Sequence, residues 1–217
     1  MDKLFDRLGL YDFFGLLIPG MFFSVSLFCM DFPIIKECNY PSSQTFKVFL
    51  FILISYVFGT LFQEVASFLD DRYTKLRITP REKFAQSNGA VFGGDELHKV
   101  RKYTNKILNK SETNNSFTDD ECSMVFFKCK TYLENAHKME KANKLDAIFA
   151  MSRDFIVCNL CILLCMSITM VYREFNYTYL WVIIYIILSS AIFYRRAERY
   201  SALRVKTILR QYMNLKG

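Results

Sequence analysis

LYDFFGLLIPGMFFSVSLFCM, residues 10–30, decides how the rest of the chain is read. The run carries a single charge, Asp12, beside Tyr11 at its entrance, and a Pro19-Gly20 pair near its middle. An α-helix of about 20 apolar residues crosses a hydrocarbon core of roughly 30 Å, so the run predicts a membrane-spanning helix. A cleaved signal peptide fits poorly. Asp2, Asp6 and Asp12 offset Lys3 and Arg7, and Phe28-Cys29 is no small-residue cleavage site.

The 217 residues are 52% hydrophobic, include 22 Phe and 13 Tyr, and carry a formal charge of +7. A soluble domain of this length would have to fold several uninterrupted apolar runs into one modest core. Seven cysteines, an odd number lying mostly in apolar or helical stretches, argue against a disulfide framework. Cys158, Cys161 and Cys165 imitate a redox or metal motif, yet in an apolar helix that spacing sets soft side chains along one stripe.

Three further runs resemble the first in composition: VFLFILISYVFGTLFQEVA at 48–66, Phe155 to Tyr172, and YTYLWVIIYIILSSAIFY at 177–194. The last has Tyr177, Tyr179 and Trp181 at one end and Phe193 and Tyr194 at the other, as interfacial belts do. Its Ser189, Ser190 and Ala191 are small enough for a neighbouring helix to approach. The expected fold is all-α: four transmembrane helices, with a helical cytoplasmic region formed by the loop between spans two and three and by the C-terminal tail. Residues 1–66 hold the N-terminal segment and spans one and two, 67–153 the cytoplasmic region, 154–194 spans three and four, and 195–217 a basic tail.

Within 67–153 the segment SFLDDRYTKLRITP predicts an extension of the second span as far as Pro80, where a helix loses its hydrogen-bond ladder. QSNGAVFGG at 86–94 reads as a loop. Asp95 is placed to cap a helix running through Asn109. KSETNNSF at 110–117 is the most disorder-like stretch in composition. Thr118 and Glu121 form a T-x-x-E capping box. The helix after it carries a stripe of Cys122, Val125, Phe126, Cys129, Tyr132, Leu133 and Ala136, and no stop signal separates it from the third span.

Charge sets the orientation. The loops at 31–47 and 173–176 are neutral, 67–153 holds 16 Lys+Arg against 12 Asp+Glu, and the tail holds seven bases against one Glu. Basic flanks stay in the cytoplasm, so four spans place both termini and the central region inside. That face offers Arg72, Lys75, Arg77, Arg81, Lys99, Arg101 and Lys102 with Tyr73, Phe84 and Tyr103 interleaved. Bases among aromatics suit an anionic nucleotide or oligonucleotide through phosphate neutralisation and stacking. Attraction to anionic lipid, roughly 1 kcal/mol per well-placed base, explains the same residues without a specific ligand.

No catalytic constellation is legible. His98 and His137 lack partners at zinc-ligand spacing, there is no phosphate-binding G-x-x-x-x-G-K-[ST] and no G-x-S-x-G, and no cofactor is implied. A non-enzymatic membrane role remains. Asp12 is either an interfacial helix cap or a charge facing a pore, and Pro19-Gly20 either a tolerated bend or a kink. Tyr11, Asp12, Pro19 and Gly20 are therefore the candidate pore or gating residues. Four spans without an internal repeat suit several copies around an axis better than a lone transporter.

The opening YDFFGLLIPG, the four runs and the basic helical region between runs two and three resemble small bacterial four-span membrane proteins of antiphage defence. The Hailong-type effector and the membrane accessory of type VI CRISPR loci are examples. The resemblance implies an inner-membrane homo-oligomer in the lipid bilayer that depolarises the infected cell, signalled in the Hailong case by a product of a partner nucleotidyltransferase. A non-conducting scaffold that recruits a cytosolic partner is the alternative.

Overall fold

The computed structural model describes residues 12–30, 43–86, 91–111, 116–172 and 177–216. Among these there is no strand. The chain forms α1 (Ile18–Cys29), α2 (Gln44–Leu69), α3 (Ile78–Lys83), α4 (Gly94–Leu108), α5 (Asp119–Asn135), α6 (Glu140–Tyr172) and α7 (Tyr177–Lys216), with π-helical segments at Asp12–Leu17 and Asp70–Thr74. Two compact units emerge. One holds the described residues of Met1–Leu69 and Ala147–Ala197, the other those of Asp70–Asp146 and Glu198–Gly217.

The first unit is apolar outside. Phe28, Phe49, Leu164, Val171, Trp181 and Ile192 are all more than 60% exposed, while Ser55, Asn159 and Thr169 are buried. Greasy exteriors over polar interior contacts suit lipid, because water would penalise the surface and lipid would penalise an unpaired polar group. Three helical stretches, Gln44–Thr74, Glu140–Val171 and Tyr179–Lys216, are long and apolar enough to cross a membrane. The chain has the make-up of a membrane protein. The first apolar helix, Gly15–Cys29, is shorter than those three. Helix α6 touches each of the others: Phe155 packs against Phe22 of α1 and Phe193 of α7, and Arg153 bonds to Ser67 of α2.

Helices α1 and α2 pair, and two glycines set their distance. A Cβ on Gly20 would lie 1.8 Å from the Ser55 carbonyl oxygen, and one on Gly59 would lie 2.0 Å from that of Leu16. Only hydrogen fits at either place. The approach lets Phe23 set its ring edge-on to Phe58 and Phe62, with centroids 4.8 and 5.0 Å away. Ser55 Oγ donates to Ser24 Oγ at 3.2 Å. On the other side, Asn159 Nδ2 donates to Ser189 Oγ (2.9 Å) and Ser190 Oγ (3.0 Å), so these small residues bond α7 to α6 as well as admitting it.

The second unit has a water-type core that includes Phe84, Val100, Phe126, Leu133, Val205 and Ile208. The capping box forms in both halves: Thr118 Oγ1 accepts from the Glu121 amide at 3.3 Å, and Glu121 accepts from the Thr118 amide at 3.1 Å. The α5 stripe buries Cys122, Val125, Phe126, Cys129 and Leu133, whereas Tyr132 and Ala136 stay exposed. Burial pushes the Cys122 thiol up to about 11 and the Cys129 thiol up to about 12.

Three boundaries differ from the sequence reading. The helix containing α2 ends at Thr74, not at Pro80. Lys75 turns the chain with φ +50°, and Pro80 sits in the first turn of α3, where its missing N–H costs nothing. Helix α5 does not run on into α6. It stops at Asn135, His137 adopts φ +54°, and the Lys138 amide bonds back to the Leu133 carbonyl at 3.0 Å, the six-to-one closure of a Schellman motif with His in glycine's usual place. Asp95 lies in the first turn of α4 and favours its positive end, while Gly93 takes the cap position. The tail is helical as expected, and it is continuous with the last apolar run: α7 is one helix from Tyr177 to Lys216.

At the far end of α7, Arg210 donates to Glu96, and Lys206 Nζ lies 3.2 Å from the same carboxylate. The Arg210 hydrogen bond, helped by Lys206 and opposed by burial, holds Glu96 below the usual carboxylate range.

Two predictions follow from this packing. Gly20→Ala and Gly59→Ala should each lower the thermal midpoint of detergent-purified protein by an equivalent of about 2 kcal/mol or more, whereas Gly93→Ala, with nothing within 4 Å of the added carbon, should leave it unchanged. Because the folded Glu96 pKa is depressed, its contribution is complete above the unfolded value of about 4.3 and is lost as pH falls through the folded one. Glu96→Gln should therefore flatten the fall of the midpoint on acidification from about pH 5 to pH 3 relative to the unsubstituted protein.

Candidate functional site

Asp70 organises the basic face of the second unit. Its side chain is 1% exposed; Oδ1 accepts from Thr74 Oγ1 (2.6 Å) and the Leu76 amide (2.8 Å), and Oδ2 accepts from the Arg77 amide (3.3 Å). Ser201 Oγ in α7 donates to the Leu76 carbonyl at 2.5 Å. One carboxylate and one hydroxyl thus fix the turn that delivers Arg77 and, a helical turn later, Arg81.

Those two arginines reach a cleft of about 30 Å³ that Lys130 of α5 and Arg204 of α7 also line. Its apolar wall is Phe126, Phe127, Met139, Ala142 and Ile208, and its one acid is Asp146. Arg204 is 5% exposed and donates through Nη1 to Asp146 Oδ1 at 2.5 Å. The Arg81 guanidinium lies 5.0 Å from the centre of the Phe127 ring, and its buried Nε has no hydrogen-bond partner. Glu82 stands 3.8 Å from Arg81 Nη2, and Glu134 stands 3.5 Å from Lys130. Four bases around one carboxylate make a small anion site with an aromatic side.

The remaining bases read from the sequence do not join it. Arg72 and Lys75 are exposed near the end of the second apolar helix, and Lys99 and Lys102 are exposed on α4. Arg101 bonds through Nε to the Ala85 carbonyl at 2.8 Å and ties α4 to the turn that follows α3. Lys130 and Arg204 escaped the sequence reading, since their meeting depends on how α5 and α7 pack. Arg204 leaves one trace, as a base set among the apolar positions of the tail.

In the first unit, Tyr11 lies outside the described residues and Asp12 opens the π-helical segment Asp12–Leu17. Pro19 and Gly20 are buried against neighbouring helices, with Cys158 Sγ 3.5 Å from the Pro19 carbonyl. Cys158, Cys161 and Cys165 are free thiols, and no cluster of three metal-ligating side chains occurs among the described residues. A pair the sequence reading passed over lies in α6. Arg153 and Asp154 are 6% and 0% exposed, Arg153 donates to Ser67 Oγ at 2.9 Å, and its Nε lies 3.7 Å from Asp154 Oδ1. Compared with protein-family models, curated proteins and solved structures, the chain matches none.

Asp70→Ala removes three acceptor contacts at once and should destabilise the second unit by about 3 kcal/mol, read as a lower midpoint of unfolding. Asp71→Ala, one residue on and exposed, should cost little.

Proposed function

We propose that the protein is an oligomeric channel of a bacterial inner membrane, with four spans and both termini in the cytoplasm. On this reading, an anionic nucleotide or oligonucleotide binding the second unit opens it, and the resulting depolarisation serves antiphage defence. The observation that carries the reading is continuity. The helical stretches Gln44–Thr74, Glu140–Val171 and Tyr179–Lys216 are apolar enough to span, and each also supplies residues to the unit that holds the basic cleft. A ligand that orders the cleft acts on the helices that cross the membrane. It opens the channel only by binding the open arrangement more tightly than the closed one.

The shorter first helix, which holds Pro19-Gly20, is the gating candidate together with Asp12, which opens the π-helical segment before it, and Tyr11, the preceding residue in the sequence. Buried ionisable groups in apolar helices face protein or water rather than lipid, and Arg153 with Asp154 fits that rule on α6. The alternative remains a scaffold that recruits a cytosolic partner, such as a nucleotidyltransferase, without passing ions.

Purified protein in planar bilayers separates the two. The channel reading expects rings with a central axis in single-particle images, current on addition of an oligonucleotide, and altered ion preference in Asp12→Asn with assembly intact. Monomeric particles that pass no current with any nucleotide or oligonucleotide overturn it in favour of the scaffold.

A further inference from the structure

The cleft is far too small for a nucleotide. About 30 Å³ holds roughly two or three water-sized groups, which suits the oxygens of one phosphate and leaves any base and sugar outside. Its donors are also of the kind that distinguish phosphate from a diffuse negative charge. Arginine presents a planar fork to two oxygens at once, and hydrogen bonds to an ionised acceptor are about twice as strong as neutral ones. Arg81 is already half-committed: its guanidinium lies over Phe127 while its buried Nε has no partner. Arg204, by contrast, is held by Asp146.

From this we infer that the cleft is a terminal-phosphate site, in which a phosphate monoester at the end of a larger ligand takes over Arg204 from Asp146 and completes the hydrogen bonding of Arg81. The inference rests on the second unit being the receiver of an anionic ligand. It adds which part of the ligand is read. A monoester carries close to two charges at neutral pH and an internal phosphodiester one, so four bases facing a single carboxylate favour a chain end over a chain middle. Asp146 then sets a threshold, since a weaker anion does not displace it. Glu82 and Glu134, each near one of the bases, lower the positive potential at the rim in the same sense.

The test uses full-length protein in detergent and a short deoxyribo-oligonucleotide with either a 5′-phosphate or a 5′-hydroxyl. The phosphorylated form should bind about tenfold tighter, a difference of about 1.4 kcal/mol. Arg77→Gln, at an exposed side chain, and Arg81→Gln should reduce that ratio towards one. Asp146→Asn should tighten binding of the phosphorylated form, a gain that a merely structural Asp146–Arg204 pair does not produce. Vesicles with and without phosphatidic acid form a second arm, because a lipid headgroup offers the same monoester. Capture that depends on phosphatidic acid and on Arg77 and Arg81 assigns the site to lipid phosphate rather than to a soluble ligand.

Equal affinity for the two oligonucleotides, together with no phosphatidic-acid dependence, overturns the inference. The channel reading fails separately. Phosphate-dependent binding without current keeps the site and removes the channel, whereas current evoked by both oligonucleotides at equal affinity and without phosphatidic-acid dependence keeps the channel and removes the site.

Discussion

Two glycines hold the membrane unit together by what they lack. Gly20 and Gly59 bring the backbones of the first two helices so close that one added methyl group on either would collide with a carbonyl oxygen. In lipid there is little hydrophobic gain from pressing one apolar helix against another, so association depends on close van der Waals packing and on polar contacts made inside. The glycine contact supplies the first, and lets Phe23 reach Phe58 and Phe62. The serine pair Ser24–Ser55 and the Asn159–Ser189–Ser190 cluster supply the second.

The second unit runs on different physics. Its core is built from Phe, Val, Leu and Ile as in a water-soluble domain, and its helix ends are closed by a capping box and a Schellman turn. Its polar design converges on Asp70 and Ser201. A buried carboxylate accepts from two amides and a hydroxyl, and a buried hydroxyl donates to the carbonyl between those amides' residues. Such a turn has few alternatives, because each lost bond would leave a buried polar group unsatisfied. It holds Arg77 and Arg81 opposite Lys130 and Arg204 around one carboxylate. Asp146 pairs with Arg204, and the self-repulsion that four clustered bases retain is what an incoming anion relieves.

Much of the fold was legible in the sequence. Apolar run length gave the long helices, and the T-x-x-E pattern gave the start of α5. The misses share a cause. Pro80 reads as a stop in one dimension, yet proline also opens helices, and the turn that decides between the two is made by Asp70 reaching forward to residues 76 and 77. The α5–α6 break is hidden because histidine, not glycine, takes the left-handed position there. Of the seven bases singled out from the sequence, only Arg77 and Arg81 share the cleft; Arg101 is spent on a backbone carbonyl.

By itself, then, the sequence determined the helical class, the apolar runs and the basic character of the region between them, because helix length, hydropathy and charge are local properties that a linear reading captures. The tertiary structure alone decided that Pro19-Gly20 is a packing contact rather than an isolated bend, and that Lys130 and Arg204 stand beside Arg77 and Arg81. It also decided that Arg153 and Asp154 are buried. The opening stretch shows the division most plainly. Its composition marks an apolar helix from the chain alone, but the meaning of Gly20 lies in Ser55 and Gly59, more than thirty positions away, which no local pattern specifies.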